Sequence, residues 1–339
     1  MKSLSLFGKI LLLAAILLLL AALVSLIPSD RGLIRMLDFV REPSIFLAAL
    51  IGVLALFFAK PRRGAILAIL AVSIAINLYR LWPYSWLAPA EVPLPDDVDG
   101  MSCARVLNFN VLQSNDEYAR TAQLIEREQP DILLLMETNQ AWLDALEPQL
   151  SRFGYRLEKP LDNTYGMAFA TTLTVDRAEM SDTIGEKTPT LYASLRMDDG
   201  ARFEVIGLHP RPPLPGESTE TRDRTIALAG ARTPDSLGNV LAIGDFNDVP
   251  WSRTTQRFVK DGNYVDPRVG RGTFATFPAG LGAIGWPLDQ LFVKNGVKIE
   301  SFEVLDDVGS DHLPLAADVC VDPERGEVGE PDPSEGETY

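Results

Sequence analysis

The chain has 339 residues, enough for one large domain with additional segments, and its formal net charge is −15. Residues 1–92 carry nine basic and four acidic side chains, whereas residues 93–339 carry 22 basic and 42 acidic ones. An acidic body without a run of Lys or Arg disfavours tight, non-specific binding of nucleic acid. A basic, apolar head before an acidic body predicts a membrane anchor followed by a soluble domain.

Three apolar stretches near the N-terminus predict three transmembrane helices, at about residues 10–27, 45–59 and 64–80. A buried hairpin inside a soluble domain is disfavoured because none of the three has a polar face. A cleaved signal peptide is disfavoured because the first apolar run is too long and lacks a small-residue cleavage site. We therefore assign residues 1–87 to a retained membrane anchor and residues 88–101, rich in Pro and Asp, to a linker.

The charges around the predicted spans indicate how the anchor is oriented. One side has five basic residues, namely Lys2, Lys9, Lys60, Arg62 and Arg63, and the other side has four, namely Arg31, Arg35, Arg41 and Arg80. Basic residues are enriched on the cytoplasmic side. The pattern predicts an integral, multi-pass protein of a bacterial inner or plasma membrane, with its main domain outside the cytoplasm.

The two cysteines stand at the two ends of the body, Cys103 before its first predicted strand and Cys320 at the end of its last. If these strands are neighbours, a disulfide would close a loop of more than 200 residues and stabilise the fold by about 5 kcal/mol on chain-entropy grounds. Such a bond requires an oxidising compartment, which agrees with the orientation. Two unpaired buried thiols fit the sequence equally well.

Beyond the linker, short apolar runs alternate with helical segments. The pattern predicts strands at 105–111, 131–136, 165–172, 190–197, 202–208, 240–243, 288–293 and 315–320, and helices at 117–128, 140–150 and 221–231. Many strands with fewer helices favour an α+β fold in which packed sheets carry helices on the outside. The tail, residues 321–339, has little to bury and is predicted to be disordered.

Polar side chains gather at the ends of these strands. The strand at 240–243 leads into Asp245 and Asn247, which an extended backbone would point the same way. Alone, this stretch is more simply a turn favoured by Asp, Asn and Gly. However, other strand ends carry Asn110, Glu137, His209, Asp289 and the run Ser310-Asp311-His312, and they include both histidines of the chain. Carboxylates that exchange protons and amides that hold a polar substrate together favour a hydrolytic site.

In this order and spacing, the segments resemble the endonuclease/exonuclease/phosphatase superfamily, which has the DNase I-like fold. The matching segments are 105–111, Leu135-Met136-Glu137, Gly207-Leu208-His209-Pro210, Gly244-Asp245-Phe246-Asn247, Leu288-Asp289 and Ser310-Asp311-His312. They span residues 102–320, whereas the membrane anchor lies outside the resemblance. The resemblance implies a four-layered α/β/β/α sandwich, with two mixed sheets between outer helices, and divalent-metal-dependent cleavage of a phosphate ester.

The resemblance also implies a metal site. Glu137 matches the metal-binding glutamate, Asp311 a second acid near the metal, and Asn110 the asparagine that helps to hold the site. Oxygen ligands completed by water suit Mg²⁺ or Mn²⁺ better than zinc. The expected cofactor is therefore Mg²⁺ or Mn²⁺.

Four further residues match the catalytic set of the family. His312 matches the catalytic histidine and Asp289 the acid that orients it. Asp245 and Asn247 match an acid–amide pair that faces the scissile phosphate. A carboxylate and an imidazole can each act as general base, so the sequence leaves open whether His312 or Asp245 has that role.

Substrate contacts are implied for His209 and Tyr165, which match phosphate-contacting residues in part of the family. Two positions depart from the pattern, because Leu112 stands where some members carry an acid and Gln290 where an aromatic residue or His is common. Neither departure removes a residue of the catalytic set. The Pro-rich loop after His209 is predicted to overhang the site.

Two arginines follow in and after that loop, Arg211 and Arg222. They are more simply solvated surface residues, although either is long enough to reach a substrate in the predicted cleft.

Several substrates fit an anchored, acidic domain with this site. The predicted function is a metal-dependent phosphoesterase of the nuclease or phosphodiesterase type that acts beside the membrane. The alternatives are a phospholipid or sphingolipid phosphodiesterase and a phosphomonoesterase. From another class, a catalytically silent, membrane-tethered binding domain is disfavoured by the intact set of acids and histidines. The predicted partners are a phosphate ester, borne by nucleic acid or by a lipid head group, and the membrane; the sequence points to no protein partner.

Overall fold

The computed structural model describes residues 5–322, except residues 95–97, 183–184, 186 and 232–236. Most of the predicted disordered tail, residues 323–339, lies outside the described residues.

The described chain begins with helices and continues with strands that alternate with further helices. The helices are α1 Leu6–Val24, α2 Gly32–Arg35, α3 Arg41–Phe58, α4 Arg63–Leu81, α5 Tyr118–Glu128, α6 Gln140–Leu150, α7 Glu220–Ala231 and α8 Arg253–Asp261. The strands are β1 Ser102–Asn110, β2 Ile132–Met136, β3 Tyr155–Lys159, β4 Met167–Thr171, β5 Thr174–Ser181, β6 Thr190–Arg196, β7 Arg202–Leu208, β8 Val240–Asp245, β9 Asp289–Lys294, β10 Val297–Val304 and β11 Leu315–Val321.

The strands form two mixed sheets that pack face to face. One sheet has the order β10-β11-β1-β2-β4-β3 and the other β5-β6-β7-β8-β9. Side chains alternate across each strand, so that Val106 in β1 joins the core between the sheets while Leu107 faces the helices α5 and α6. Helices α7 and α8 cover the other sheet through Ile226 and Phe258. The predicted four-layered sandwich is confirmed.

The first and last strands of the domain are neighbours. Strand β1 pairs with β11 in antiparallel register, which places Cys103 opposite Cys320. The two residues form a disulfide across a sequence separation of 217, with their Cα atoms 4.0 Å apart. Of the two arrangements that the sequence left open, the structure contains the paired one.

Helices α1, α3 and α4 are long and apolar enough to cross a membrane. They pack through small side chains, including Ala15, Ala48 and Ala55, which are at most 1% exposed and let the backbones approach closely. The first helix ends earlier than predicted, at Val24, and it also begins earlier, because Ser5 caps its N-terminus by accepting a hydrogen bond from Gly8 N. A hydropathy pattern locates the apolar run, but it does not detect a capping residue outside that run.

The segments that flank these helices pack directly on the sandwich. In the loop between α1 and α3, the Gly32 N–H donates a hydrogen bond to Glu217 O, and Asp30 O accepts one from the Thr219 N–H. After α4, part of the predicted linker lies against residues 266–271, where Glu91 accepts the Asp266 N–H at 3.0 Å. The linker is therefore bound to the domain surface at Glu91.

Candidate active site

Strand direction brings the predicted site residues to one edge of the sandwich. Strand β1 runs parallel to β2, and β7 runs parallel to β8. The carboxyl ends of these four strands therefore meet at one edge. Strands β9 and β11 run antiparallel to their neighbours and begin at that edge. Residues at or just after the ends of the first four strands, and at or just before the starts of the last two, thus converge there: Asn110, Glu137, His209, Asp245, Asp289 and His312.

Asp245 lies at the centre of this cluster and is 1% exposed. Its Oδ2 accepts a hydrogen bond from Asn110 Nδ2 at 3.0 Å. The same oxygen lies 3.7 Å from His209 Nε2 and 3.6 Å from His312 Nε2. Its Oδ1 accepts the backbone N–H of Asn247 at 2.8 Å. One carboxylate therefore joins residues from both sheets, with both histidines directed at the same oxygen.

His312 is held between two carboxylates. Its Nδ1 lies 2.8 Å from Asp289 Oδ2, and its ring packs on Phe277 with centroids 4.8 Å apart. Burial alone would lower the pKa of His312, but the carboxylates of Asp289 and Asp245 outweigh burial and raise that pKa to about 10. Burial raises the pKa of Asp289, and the neighbouring His312 opposes the rise. This arrangement therefore stabilises the protonated, positively charged form of His312, paired with Asp289.

Glu137 is oriented by two hydrogen bonds. Its Oε1 accepts Asn110 Nδ2 at 3.0 Å, and its Oε2 accepts the Gln113 N–H at 3.1 Å. Asn110 thus donates to both Glu137 and Asp245, while its own Oδ1 accepts the Leu112 N–H at 3.0 Å. In this orientation, Asn110 holds the two carboxylates, and its amide oxygen accepts the Leu112 N–H.

The oxygen donors at this edge fit a hard divalent cation. Carboxylate oxygens with water in the remaining positions are the usual environment of Mg²⁺ in proteins. Among the described residues, the only group of three His, Cys, Asp or Glu side chains close enough to share an ion is Cys103, Glu300 and Cys320, and the disulfide occupies both sulfurs. Mg²⁺ sites in proteins commonly use one or two carboxylates and keep several waters.

Asp311 lies in the loop that carries His312. Ser310 ties this loop to the end of β1 by donating its hydroxyl to Asn110 O at 2.7 Å, and the same hydroxyl lies 3.5 Å from Asp311 Oδ1. The loop is held from the other side by Ala279, whose N–H donates to Asp311 O at 2.7 Å. Asp311 is thus placed beside His312, and its half-buried side chain is partly open to solvent.

Tyr165 lies next to His209, with ring centroids 5.2 Å apart. The guanidinium of Arg211 lies 5.7 Å from the centroid of the Tyr165 ring. The residues predicted to contact phosphate are thus adjacent, and Arg211 stands at the outer end of this row.

Two site residues have a left-handed backbone. Glu137 has φ 61° and Asn247 has φ 49°, a conformation that is uncommon for Glu and more readily adopted by Asn. Asn247 is further fixed by its Nδ2, which donates to Pro210 O at 3.0 Å. Gly244, with φ 139°, allows β8 to approach β7, since a Cβ there would lie 1.9 Å from Leu208 O. Backbone strain of this kind is concentrated at functional sites.

Behind Asn247 lies a group of charged side chains that we call the buried ion network: Arg35, Asp38, Arg41, Arg222 and Asp248, each at most 4% exposed. Arg222 Nη2 lies 2.9 Å from Asp248 Oδ2 and donates to Asn247 O at 3.2 Å. The prediction that Arg222 is solvated surface is wrong, because this guanidinium is enclosed by the loop after β8.

Arg35 and Asp38 come from the loop between α1 and α3. Arg35 Nη1 donates to Asp38 Oδ2 at 3.2 Å, and its Nη2 donates to Thr254 Oγ1 at 2.8 Å and lies 3.8 Å from Asp248 Oδ2. One signal of this pairing is present in the sequence: Arg35, Asp38 and Arg41 are spaced at intervals of three, which places them on one face of a helical turn. A count of loop charges does not detect such a pairing.

A family model described as "Endonuclease/Exonuclease/phosphatase family" matches residues 107–312 of the chain. The chain belongs to this family. The matched region includes every site residue from Asn110 to His312. As a member of the endonuclease/exonuclease/phosphatase family, the chain is a hydrolase that acts on phosphate esters. Comparison with curated proteins gives no match.

Solved structures with the same fold include members of this family. An endonuclease/exonuclease/phosphatase family protein from Bacteroides thetaiotaomicron has a TM-score of 0.55 at 17% identity, covering 68% of this chain and 99% of its own. D. rerio TDP2, humanized by 14 mutations, has a TM-score of 0.52 at 13% identity, covering 64% and 98%. The B. thetaiotaomicron mannosyl-6-phosphatase Bt3783 has a TM-score of 0.51 at 17% identity, covering 63% and 98%. Likeness at these identities shows the shared fold alone.

Proposed function

We propose that the protein is a metal-dependent phosphodiesterase that acts beside a membrane. The observation that carries the proposal is the convergence on Asp245 Oδ2, where Asn110 Nδ2, His209 Nε2 and His312 Nε2 all lie within 3.7 Å. A carboxylate that faces two imidazoles can exchange protons with a bound water or ester. The imidazoles can meanwhile donate hydrogen bonds to the phosphoryl oxygens.

The contacts support a division of roles between His312 and Asp245. Asp289 Oδ2 accepts a hydrogen bond from the Nδ1–H of His312, which leaves Nε2 facing the cleft. Between two carboxylates, His312 is a cation that stabilises the charge on the phosphoryl group and gives a proton to the leaving oxygen. Asp245, held in place by Asn110 and the Asn247 N–H, takes the proton from the attacking water. We thus assign the base to Asp245.

The metal has a defined place in this proposal. Mg²⁺ or Mn²⁺, when bound, neutralises negative charge on the phosphoryl oxygens. Glu137 is the residue that would hold it, with Asp311 as the second acid, because the Glu137 carboxylate is already aimed by Asn110 and the Gln113 N–H. Asn110 acts by positioning Glu137 and Asp245.

The position of the sandwich supports an extracytoplasmic active site. The sandwich contacts the loop between α1 and α3 and the segment after α4, which is the end of these helices opposite the turn at residues 59–62. That turn carries Lys60 and Arg62, and Arg63 follows it. On the sandwich side, the buried ion network pairs Arg35 and Arg41 with Asp38, whereas basic residues are densest in the turn on the far side. A C-terminal reporter that is active only in the cytoplasm would be silent under this orientation.

The test of the proposed function uses the full-length protein in detergent. Hydrolysis of bis-(p-nitrophenyl) phosphate is measured with Mg²⁺, with Mn²⁺ and after EDTA treatment, with p-nitrophenyl phosphate as the monoester comparison. We expect diester turnover that needs the metal and falls at least about 100-fold in His312→Ala and Asp289→Asn. The exposed acid Glu300 provides the control, because Glu300→Gln should retain turnover. Wild-type turnover in a folded His312→Ala variant would refute the assigned roles.

A further inference from the structure

The edge of the sandwich that holds the candidate site is also the edge that docks on the anchor. The loop after β7, which begins at His209, reaches the anchor through the Thr219 N–H, which donates to Asp30 O. The loop after β8 does so through Trp251 Nε1, which donates to Asp38 O at 2.8 Å. The segment before β9 does so through Trp286 Nε1, which donates to Phe39 O at 2.6 Å. The candidate site therefore opens among the loops that face the anchor.

These docking contacts lie close to the ends of the membrane helices. Helix α1 ends at Val24, α3 begins at Arg41 and α4 ends at Leu81. The anchor residues in contact with the sandwich, within 30–39, are therefore separated from a helix end by a few residues. The lipid head-group layer is about 5–8 Å thick on each side of a bilayer. With the three helices across a membrane, the loops around the candidate site lie at the level of the head groups.

Exposed apolar side chains are concentrated on the same loops. Among the described residues after the linker, the large apolar side chains that are strongly exposed are Leu214, Leu281 and Ile284, at 44%, 53% and 79%. Leu214 belongs to residues 210–219 and the other two to residues 277–286; we call these two segments the rim loops. Both border the site, since His209 precedes the first and Phe277 in the second packs on His312. An apolar rim around a polar site fits an interface with lipid.

The first rim loop combines this apolar residue with a cation. Arg211 precedes Leu214 by three residues and lies over the ring of Tyr165. A phosphate that enters beside Tyr165 and His209 would pass this guanidinium while Leu214 contacts acyl chains. The acidic body, in contrast, opposes the approach of an extended polyanion.

We propose that the substrate is a phosphate ester in the head group of a membrane lipid, which the site takes from the adjoining leaflet while the rim loops rest on the bilayer. This inference rests on the proposed phosphodiesterase function and names its substrate class. The phosphoryl group reaches Asp245 and His312 at the edge of the sandwich, and the acyl chains remain between Leu214, Leu281 and Ile284. Water attacks phosphorus, and the bond to one ester oxygen breaks to give a phosphate monoester and an alcohol.

The experiment compares three substrates with one preparation of the full-length protein. The protein is reconstituted in vesicles of phosphatidylethanolamine and phosphatidylglycerol at 3:1, and release of water-soluble or lipid-borne phosphate product is followed by ³¹P NMR and mass spectrometry. Bis-(p-nitrophenyl) phosphate and plasmid DNA are assayed in parallel with the same metal. We expect hydrolysis of lipid and of the small diester, with lipid turnover at least tenfold above that of DNA phosphodiesters.

The double variant Leu281→Ser with Ile284→Ser tests the rim. We expect the ratio of lipid turnover to bis-(p-nitrophenyl) phosphate turnover to fall at least tenfold, whereas Ile284→Leu, which keeps an apolar side chain, retains the ratio. Hydrolysis of the small diester without lipid hydrolysis, or preferential cleavage of DNA, would overturn the lipid substrate and leave the phosphodiesterase intact. An unchanged ratio in the double variant would overturn the role of the rim loops. Loss of all three activities in folded protein would instead refute the proposed function.

Discussion

Replacing Arg35 by Met removes one cation from the buried ion network while keeping a side chain of similar length. In the native protein, Arg35 contacts Asp38 at 3.2 Å and Asp248 at 3.8 Å, and it is 4% exposed. Removing one partner of a buried ion pair costs about 3–5 kcal/mol, because the other charge stays buried. Each acid here retains another arginine, Arg41 at 2.7 Å or Arg222 at 2.9 Å. The lower value, about 3 kcal/mol, is therefore the expected loss.

The assay for Arg35→Met is thermal unfolding of the full-length protein in detergent, followed by circular dichroism. A loss of about 3 kcal/mol corresponds to a fall in Tm of about 6–12 °C for a domain of this size. Turnover of bis-(p-nitrophenyl) phosphate should also fall, since Asp248 adjoins Asn247 and Arg222 binds both. The control is Arg62→Met, which changes an exposed arginine in the turn before α4. A Tm for Arg35→Met within 2 °C of the parent would refute the reasoning that the anchor stabilises this loop.

Three further changes test other parts of the fold. Cys103→Ser with Cys320→Ser should lower the free energy of unfolding by about 5 kcal/mol and Tm by about 10–20 °C. Burial would raise the pKa of Glu128, but hydrogen bonds from Arg105 and Arg127 outweigh it and lower that pKa. Glu128 thus stabilises the fold above its ordinary pKa of 4.5 and loses this effect as pH falls below it, so Glu128→Gln should flatten the acid limb of a denaturant-unfolding series. Gly244→Ala should cost about 3 kcal/mol and most of the turnover, because its Cβ would meet Leu208 O.

Each of these changes has a matched comparison. A reducing agent should lower the Tm of the parent and leave the cysteine-free variant unchanged; an equal response in both would contradict the disulfide prediction. Glu300→Gln should show the same loss of stability at acid pH as the parent. If Glu128→Gln and Glu300→Gln lose stability at acid pH in the same way, Glu128 does not contribute to the pH dependence. Gly154→Ala adds a Cβ where nothing lies within 4 Å, so it should be neutral. A stable, active Gly244→Ala variant would show that β8 and β7 can separate.

The central strands and the buried edge strand β9 could be predicted from the sequence, whereas the other three edge strands could not. Strands β3, β5 and β10 were missed, and each lies at the edge of its sheet. Edge strands are half-solvated and carry charges that discourage aggregation, as Asp176, Arg177 and Glu179 in β5 illustrate. Their hydrophobic pattern is therefore weak. In contrast, β2 is buried throughout, and its apolar run is unambiguous.

The candidate site divides in the same way. Residues that directly follow a buried strand, such as Glu137 and Asp245, were found because their chemistry contrasts with the run before them. The contribution of Arg35 was missed because it is more than 200 residues from Asp248 in sequence and belongs to the predicted anchor. A charge in a loop has no local pattern that tells whether it is solvated or buried against a distant partner. Such pairings depend on tertiary structure.

The pairing of β1 with β11 has a consequence for the order of folding. Strand β1 lies inside its sheet, between β2 and β11, yet 217 residues separate Cys103 from Cys320. At ribosomal rates of about 5–20 residues per second, the partner strand emerges roughly 10–40 s after β1. During that interval β1 presents an open edge, which is a template for wrong pairing, and Cys103 is an unpaired thiol. The nascent chain, more than the finished protein, is the species exposed to aggregation and to mixed disulfides.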